Sequence, residues 1–269
     1  MKLKRYFSLT RAGIIEALQF RLSAFIMVLG NISYLIVIYF LWKAIYASAG
    51  TDVVNGMTFN DTLIYLVLAT ALFGFMEMYT VWQMGRSIQS GEIILQLLKP
   101  MDARRYLFWS YSGNFVVNFF FTFLPTFIIV SIVTHGAIHL GVNMLFFIAS
   151  VVMAIMINYN IDFFVGTICI YTESIWGINI MKQVIVLLLS GATIPLAFFP
   201  DKLREVVEVL PFAAIYDTPL TFLLWDGKSM DPAEPWCMLL FQLFWCIATF
   251  IISKLFWKVS LRRITVNGG

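Results

Sequence analysis

Apolar residues fall into long runs divided by short polar intervals. Leu22–Trp42, Asp61–Thr80, Tyr106–Thr134, Val142–Tyr171, Val184–Phe199 and Trp236–Phe256 are each predominantly hydrophobic. A helix of about 20 residues crosses the hydrocarbon core of a bilayer, so the pattern predicts six membrane-spanning helices. Lys43 closes the first run, and the polar stretch Ala47–Phe59 forms an outer loop. The third run is overlong and contains Pro125, which predicts a kink. His135–Gly141 makes a very short outer connection, and Thr172–Gln183 a second inner loop.

Ahead of the first run, residues 1–21 follow a different period. At 100° per residue Leu3, Tyr6, Phe7, Thr10, Ile14, Ala17 and Leu18 share one face, while Lys4, Arg5, Ser8, Arg11, Glu16 and Gln19 lie elsewhere. That is the pattern of an interfacial helix lying on the inner leaflet. It has no apolar core followed by a small-residue cleavage site, so no secretory signal is expected.

The interval Trp82–Arg105 interrupts the second and third runs. Gly85 and Gly91 predict breaks in helical continuity, Glu92–Leu98 is long enough for about two helical turns, Pro100 ends it, and Asp102 can cap the next helix. Arg86, Lys99, Arg104 and Arg105 outnumber Glu92 and Asp102, which places the loop, residues 82–105, on the cytoplasmic side. Such a hairpin is either a docking surface for a soluble partner or a solvated loop with a snorkelling basic fringe.

A second unusual interval, residues 194–235, holds seven Asp/Glu against three Lys/Arg and is divided by Pro195, Pro200, Pro211 and Pro219. Leu203–Leu210 and Phe212–Leu224 are too short to span and too apolar for a free loop, so they are expected as re-entrant or surface-lying helices forming a lid on the outer face.

Composition agrees with this layout: 61% of residues are hydrophobic, 12% are charged and 26 are Phe. Soluble domains run nearer 45–50% apolar and about 25% charged, so the chain is a polytopic membrane protein. The net charge of +3 does not signal nucleic acid, because Lys and Arg sort by side, about 14 inside and about four outside. That distribution puts both termini in the cytoplasm, the tail being residues 259–269. Cys169, Cys237 and Cys246 are scattered in or beside apolar runs and suit packing better than disulfides.

Candidate chemistry is sparse. A phosphate-cradling loop needs G-x-x-x-x-G-K-[ST]; Gly227-Lys228-Ser229 supplies the end of it, but Phe222 stands at the first glycine, so ATP hydrolysis is expected on another subunit. His135 and His139 have a metal-ligand spacing without an accompanying carboxylate or thiol, and no metal site is expected. Glu77 and Asp162, the latter near Asn158 and Asn160, are costly at membrane depth. They either face a cavity suited to a cationic or amphipathic substrate, or hold the bundle together, with Glu77 paired to Arg86 or Lys182. Phe119–Phe123 and Phe146–Phe147 either line a greasy groove or pack against lipid and helices.

Two spaced motifs carry a resemblance. Arg86-x-Ile88-x-x-Gly91, continued by Leu97-Leu98-Lys99-Pro100, and Gly191-x-x-x-Pro195-x-x-x-Phe199-Pro200-x-x-Leu203, followed by Pro211-Phe212 and Pro219, resemble the ABC-2 type permeases, in particular the subgroup formerly known as a domain of unknown function. The resemblance covers essentially the whole chain. It implies an all-α membrane protein with six transmembrane helices over residues 22–258, an N-terminal interfacial elbow helix, and a short re-entrant outer helical element between spans five and six. Arg86, Gly91, Glu92, Leu98, Lys99 and Pro100 would belong to a coupling helix; Pro195, Phe199, Pro200, Pro211 and Phe212 would shape an outer gate. The implied partners are an ABC ATPase subunit in two copies, carrying ATP and Mg, and a second permease, identical or related. This chain itself would bind no cofactor and be no enzyme. The implied place is the bacterial cytoplasmic membrane, and the implied cargo an amphipathic or hydrophobic small molecule or an antimicrobial peptide. An ion-coupled carrier or a non-transporting membrane partner is the other reading, although the sequence has no visible inverted repeat.

Overall fold

The apolar runs fold into helices in the computed structural model, which describes residues 2–19, 21–77, 79–134, 138–139, 141–172 and 174–263. The end of the tail, 264–269, and His135 lie outside these residues, as does the Leu3 side chain. Helix α1, Lys2–Gln19, docks along α6, Ala103–Asn118. Tyr6 meets Trp109 with ring centroids 5.4 Å apart, and the Thr10 and Ser112 hydroxyls lie 2.7 Å apart. At the crossing Gly13 faces Gly113: a Cβ on Gly113 would come within 2.4 Å of the Gly13 and Ile14 backbone, so only glycine permits this approach. Phe7, Ile15 and Leu18 stay exposed, leaving a second apolar surface on α1.

Helix α2, Arg21–Ala49, runs past Lys43 to Ala49. Among its described side chains it buries Ile38, Trp42 and Tyr46, one residue per turn, and exposes most of the rest. The loop after α2 contains a small hairpin, β1 Val53–Val54 and β2 Met57–Thr58. Its turn, Asn55-Gly56, has φ of 50° and 81°, the two positive values that a tight hairpin matching strand twist requires. Thr58 and Asp61 form a reciprocal capping box that starts α3, Phe59–Met76.

After α3 the chain breaks at Glu77 and resumes as α4, Thr80–Gln89. The Met76 carbonyl, orphaned by the break, accepts from Asn158 Nδ2 at 3.0 Å. Gly85 does not break continuity as the sequence suggested; it lies inside α4, where a Cβ would press within 2.7 Å of Ile175. Its value is close approach rather than flexibility. Gly91, with φ +74°, does terminate the segment before α5, Ile93–Leu97.

Asp102 caps α6, its carboxylate accepting from the Arg105 N–H at 3.1 Å. The expected kink takes the form of a π-helical turn, Phe119–Phe123, immediately before α7, Leu124–Val133. Pro125 has no N–H to donate, and widening the preceding turn lets Leu124 N–H reach the Phe119 carbonyl. Helix α8 is Val142–Ile168. Helix α9, Ile175–Leu189, occupies most of the stretch expected as the second inner loop. Asn179, Lys182 and Gln183 made that stretch look loop-like, but they recur at helical spacing and share one side of α9.

Helices α10, Asp201–Glu208, and α11, Ala213–Leu224, are bent by 98° at Pro211-Phe212. Helix α11 is not a surface helix. Ile215, Leu220, Phe222 and Leu223 are all fully buried, and Gln242 Nε2 donates both to the Ala214 carbonyl, at 2.8 Å, and to the Ser150 carbonyl, at 3.0 Å. The chain ends in α12, Glu234–Ser260. Five helices or helix pairs among the described residues are long and apolar enough to cross a membrane, six if the bent α10–α11 pair counts as one. At the centre stands α8, packed against α12, α11 and α4.

Candidate functional site

The six residues assigned to the coupling helix, Arg86, Gly91, Glu92, Leu98, Lys99 and Pro100, all lie exposed at one end of the molecule. Two side chains of α5 anchor it: Ile93 is 2% exposed, and the buried Gln96 donates to Ser87 Oγ at 3.0 Å. Its other side projects Leu95, 62% exposed, and Leu98, 75% exposed, away from the bundle. Arg86 lies 4.7 Å from the Trp82 ring and Lys99 3.7 Å from that of Tyr106, so both cations are stacked on the chain itself.

Rigid contacts lead inward from this end. Helix α4 presses on α9 at Gly85 and on α8 at Gly166, where a Cβ would meet the Met84 sulfur at 2.9 Å. One turn of α8, residues 158–162, then carries polar groups on two sides. Asp162 is completely buried and forms an ion pair with Lys182 Nζ at 2.8 Å. Glu77 lines a small cleft together with Asn158, Lys182, Gln183 and Tyr216. Lys182 is in direct contact with Asp162 and also acts across the cleft on Glu77, while Arg86 is engaged at Trp82.

On the other side of that turn is a group the sequence did not single out. Arg104, expected as part of the basic fringe, is only 9% exposed; its guanidinium donates to Asn160 Oδ1 and to the Phe250 carbonyl, the latter at 3.3 Å, and lies 4.4 Å from the Phe250 ring. Asn160 Nδ2 in turn donates to Thr249 Oγ1 at 3.0 Å. Only the helical spacing of Arg104 from Leu107 and Ser112, on the buried face of α6, signals this inward direction.

The second motif forms one unit. Pro195 starts a short 3-10 turn, Leu196–Phe198, and Pro200 caps α10. Phe199 packs on Leu196, Val207 and Ala213, tying the turn to the head of α11. Pro211 and Phe212 wall a cavity of about 230 Å³ shared with Asn160, Lys182 and Thr249. A further tie, missed because Asp217 is a lone carboxylate in an apolar piece, runs from Tyr65 Oη to Asp217 Oδ1 at 3.0 Å. Gly191, φ +78°, passes beside it, with no room for a Cβ next to the Tyr65 hydroxyl.

The phosphate-loop candidate dissolves. In Gly227-Lys228-Ser229 the Lys228 and Ser229 N–H groups both donate to Asp226 Oδ1 at 2.8 Å, holding that carboxyl down at about 2. The amides a phosphate would need are already filled by a carboxylate. Among the described residues no group of three or more His, Cys, Asp or Glu is placed to hold a metal, and Cys169, Cys237 and Cys246 are unpaired thiols.

No curated protein sequence matches the chain. A family model described as ABC-2 family transporter protein matches residues 32–268, from within α2 to beyond α12. With a bundle of apolar helices long enough to cross a bilayer and that match over most of its length, the chain belongs to the ABC-2 family of transporter proteins, as a multi-pass membrane permease.

Proposed function

We propose that the chain is the transmembrane subunit of an ATP-driven ABC-2 exporter, receiving force from a separate ATPase through residues 82–105. The observation that carries this reading is the asymmetry of α5: Ile93 and Gln96 fix it to the bundle while Leu95 and Leu98 project from the end. Exposed leucines on a firmly held short helix suit a protein partner. Movement at α5 would pass through α4 to α8 and α9, whose contacts at Gly85 and Gly166 allow little slack.

In this reading six spans carry the path, α10 and α11 form the re-entrant outer element between spans five and six, and α1 is the elbow helix. Pro195, Phe199, Pro200, Pro211 and Phe212 act as the gate, moving as one body because Phe199 packs against the head of α11. Both termini and residues 82–105 face the cytoplasm of a bacterial cell, two permeases stand over two ATPase subunits that hold ATP and Mg, and cargo is an amphipathic or hydrophobic small molecule or antimicrobial peptide. Glu77, Asn158 and Asp162 serve chiefly to hold α3, α8 and α9 together, since Asp162 is paired and Asn158 caps α3.

The test is mild-detergent purification of the tagged chain from its host, with mass spectrometry of co-purifying proteins, beside a Leu95→Glu/Leu98→Glu variant. Wild type is expected to bring an ATPase subunit that the variant loses while eluting at its normal size. An ATPase retained equally by both overturns docking through α5. The break at Glu77 beside a buried ion pair favours an ion-coupled carrier as the second reading. Transport in vesicles without ATP, driven by an ion gradient, would establish it.

A further inference from the structure

The cavity of about 230 Å³ lies between α8, α9, α12 and the Pro211-Phe212 turn, and its chemistry is lopsided. Ile161, Phe164, Val165, Met181, Ile185 and Ile252 supply most of its wall. Its three polar residues have turned their polar atoms to other work. Lys182 Nζ is held by Asp162, Asn160 lies between Arg104 and Thr249, and Thr249 Oγ1 donates to the Trp245 carbonyl at 2.7 Å. A ligand entering here finds hydrocarbon and aromatic surface with no free hydrogen-bonding group.

Met181, 54% exposed, and Ile252, 52% exposed, belong both to the wall and to the lateral surface of α9 and α12. In a membrane that surface is continuous with acyl chains. Water is a poor occupant, because a buried water needs two to four polar partners. Hydrocarbon fits by size, since an apolar cavity of about 150 Å³ already admits benzene. An unfilled void would forfeit the dispersion contacts of its lining.

We infer that this cavity is a lateral binding site for one hydrocarbon chain, the acyl tail of a membrane lipid, inserted from the bilayer against the Pro211-Phe212 turn. The occupant touches the joint between α10 and α11, so its presence supports the bent geometry of that pair. The assignment needs only the membrane setting of the chain and stands apart from the exporter reading.

The experiment is photolabelling of the purified protein in nanodiscs made from a phospholipid carrying a terminal diazirine on one acyl chain, followed by peptide mapping. Chains in the surrounding lipid reach exposed residues such as Met181 and Ile252, but not Val165, 9% exposed, or Thr249, 8% exposed. Labelling of Val165 and Thr249 is expected, and Val165→Phe, which narrows the cavity, should reduce labelling at Thr249 at least several-fold while leaving that at Leu240 and Phe244 unchanged. Should Val165→Phe fail to fold, Ile161→Phe serves in its place. Label confined to exposed residues overturns the site. So does modification of Val165→Cys by a charged, membrane-impermeant thiol reagent, which would mean a water-filled cavity, or loss of the exposed labels at Met181 and Ile252 together with cross-linking between their cysteine variants, which would mean that a second copy covers this face.

Discussion

Asp162 and Lys182 form the most consequential pair of side chains in the bundle. A completely buried carboxylate beside one lysine is tolerable only while the pair is intact, and removing one partner of a buried pair costs about 3–5 kcal/mol. Lys182→Met should therefore lower the unfolding midpoint in detergent strongly, and the double variant Asp162→Leu/Lys182→Met should recover most of the loss. A double variant no more stable than the single one would show that the charges do more than neutralise each other. Gly91 makes a second residue-level case. Its φ of +74° suits Gly and, less well, Asn, while a Cβ there meets nothing within 4 Å. Gly91→Val should strain the turn before α5 and depress transport-coupled ATP hydrolysis, with Gly91→Asn close to wild type; equal activity of the two would remove the turn from the coupling path.

Among the elements, those with a strong period were legible and those defined by contacts were not. Long apolar runs announced α2, α8 and α12, Asp102 announced the start of α6, and Pro125 announced an irregularity that the fold resolves as a π turn. Helix α9 was hidden because Asn179, Lys182 and Gln183 read as loop residues until the buried carboxylate of Asp162 supplies a reason for them to face inward. Gly85 and Gly13 are equally ambiguous in sequence, since a glycine that breaks a helix and one that lets two helices touch look alike. The α1–α6 contact gives a direct test. Thr10→Cys and Ser112→Cys should form a disulfide, because their present hydroxyls lie 2.7 Å apart, and adding Gly113→Leu should abolish it by forcing the backbones apart. Persistence of the cross-link in the triple variant would mean that α1 docks by other contacts.

For the whole molecule, the decisive question is how often the chain crosses. If α10 and α11 together make one crossing, the α5 tip and the loop after α11 lie on opposite sides of the membrane. Leu98→Cys and Lys228→Cys should then react with an impermeant thiol reagent from opposite faces of oriented vesicles. Reaction from the same face would give an even number of crossings before α12 and reverse the polarity of the tail. The family and the helical bundle were within reach of the sequence because motif order and apolar length survive without coordinates. The interior was not, because the insertion of α11 between α3, α8 and α12 depends on shape complementarity that no single residue advertises.

The seam where Gly13 meets Gly113 also constrains biogenesis. Thr10 and Ser112 are 102 positions apart, so α1 emerges from the ribosome long before its groove exists. At about 5–20 residues per second, the interval is roughly 5–20 s. Through that delay α1 holds Phe7, Ile15 and Leu18 without its final neighbour, and the bilayer surface is the nearest apolar shelter. The helix is thus a tenant of the membrane first and of the bundle second, and only the insertion of α6 gives it a place to dock.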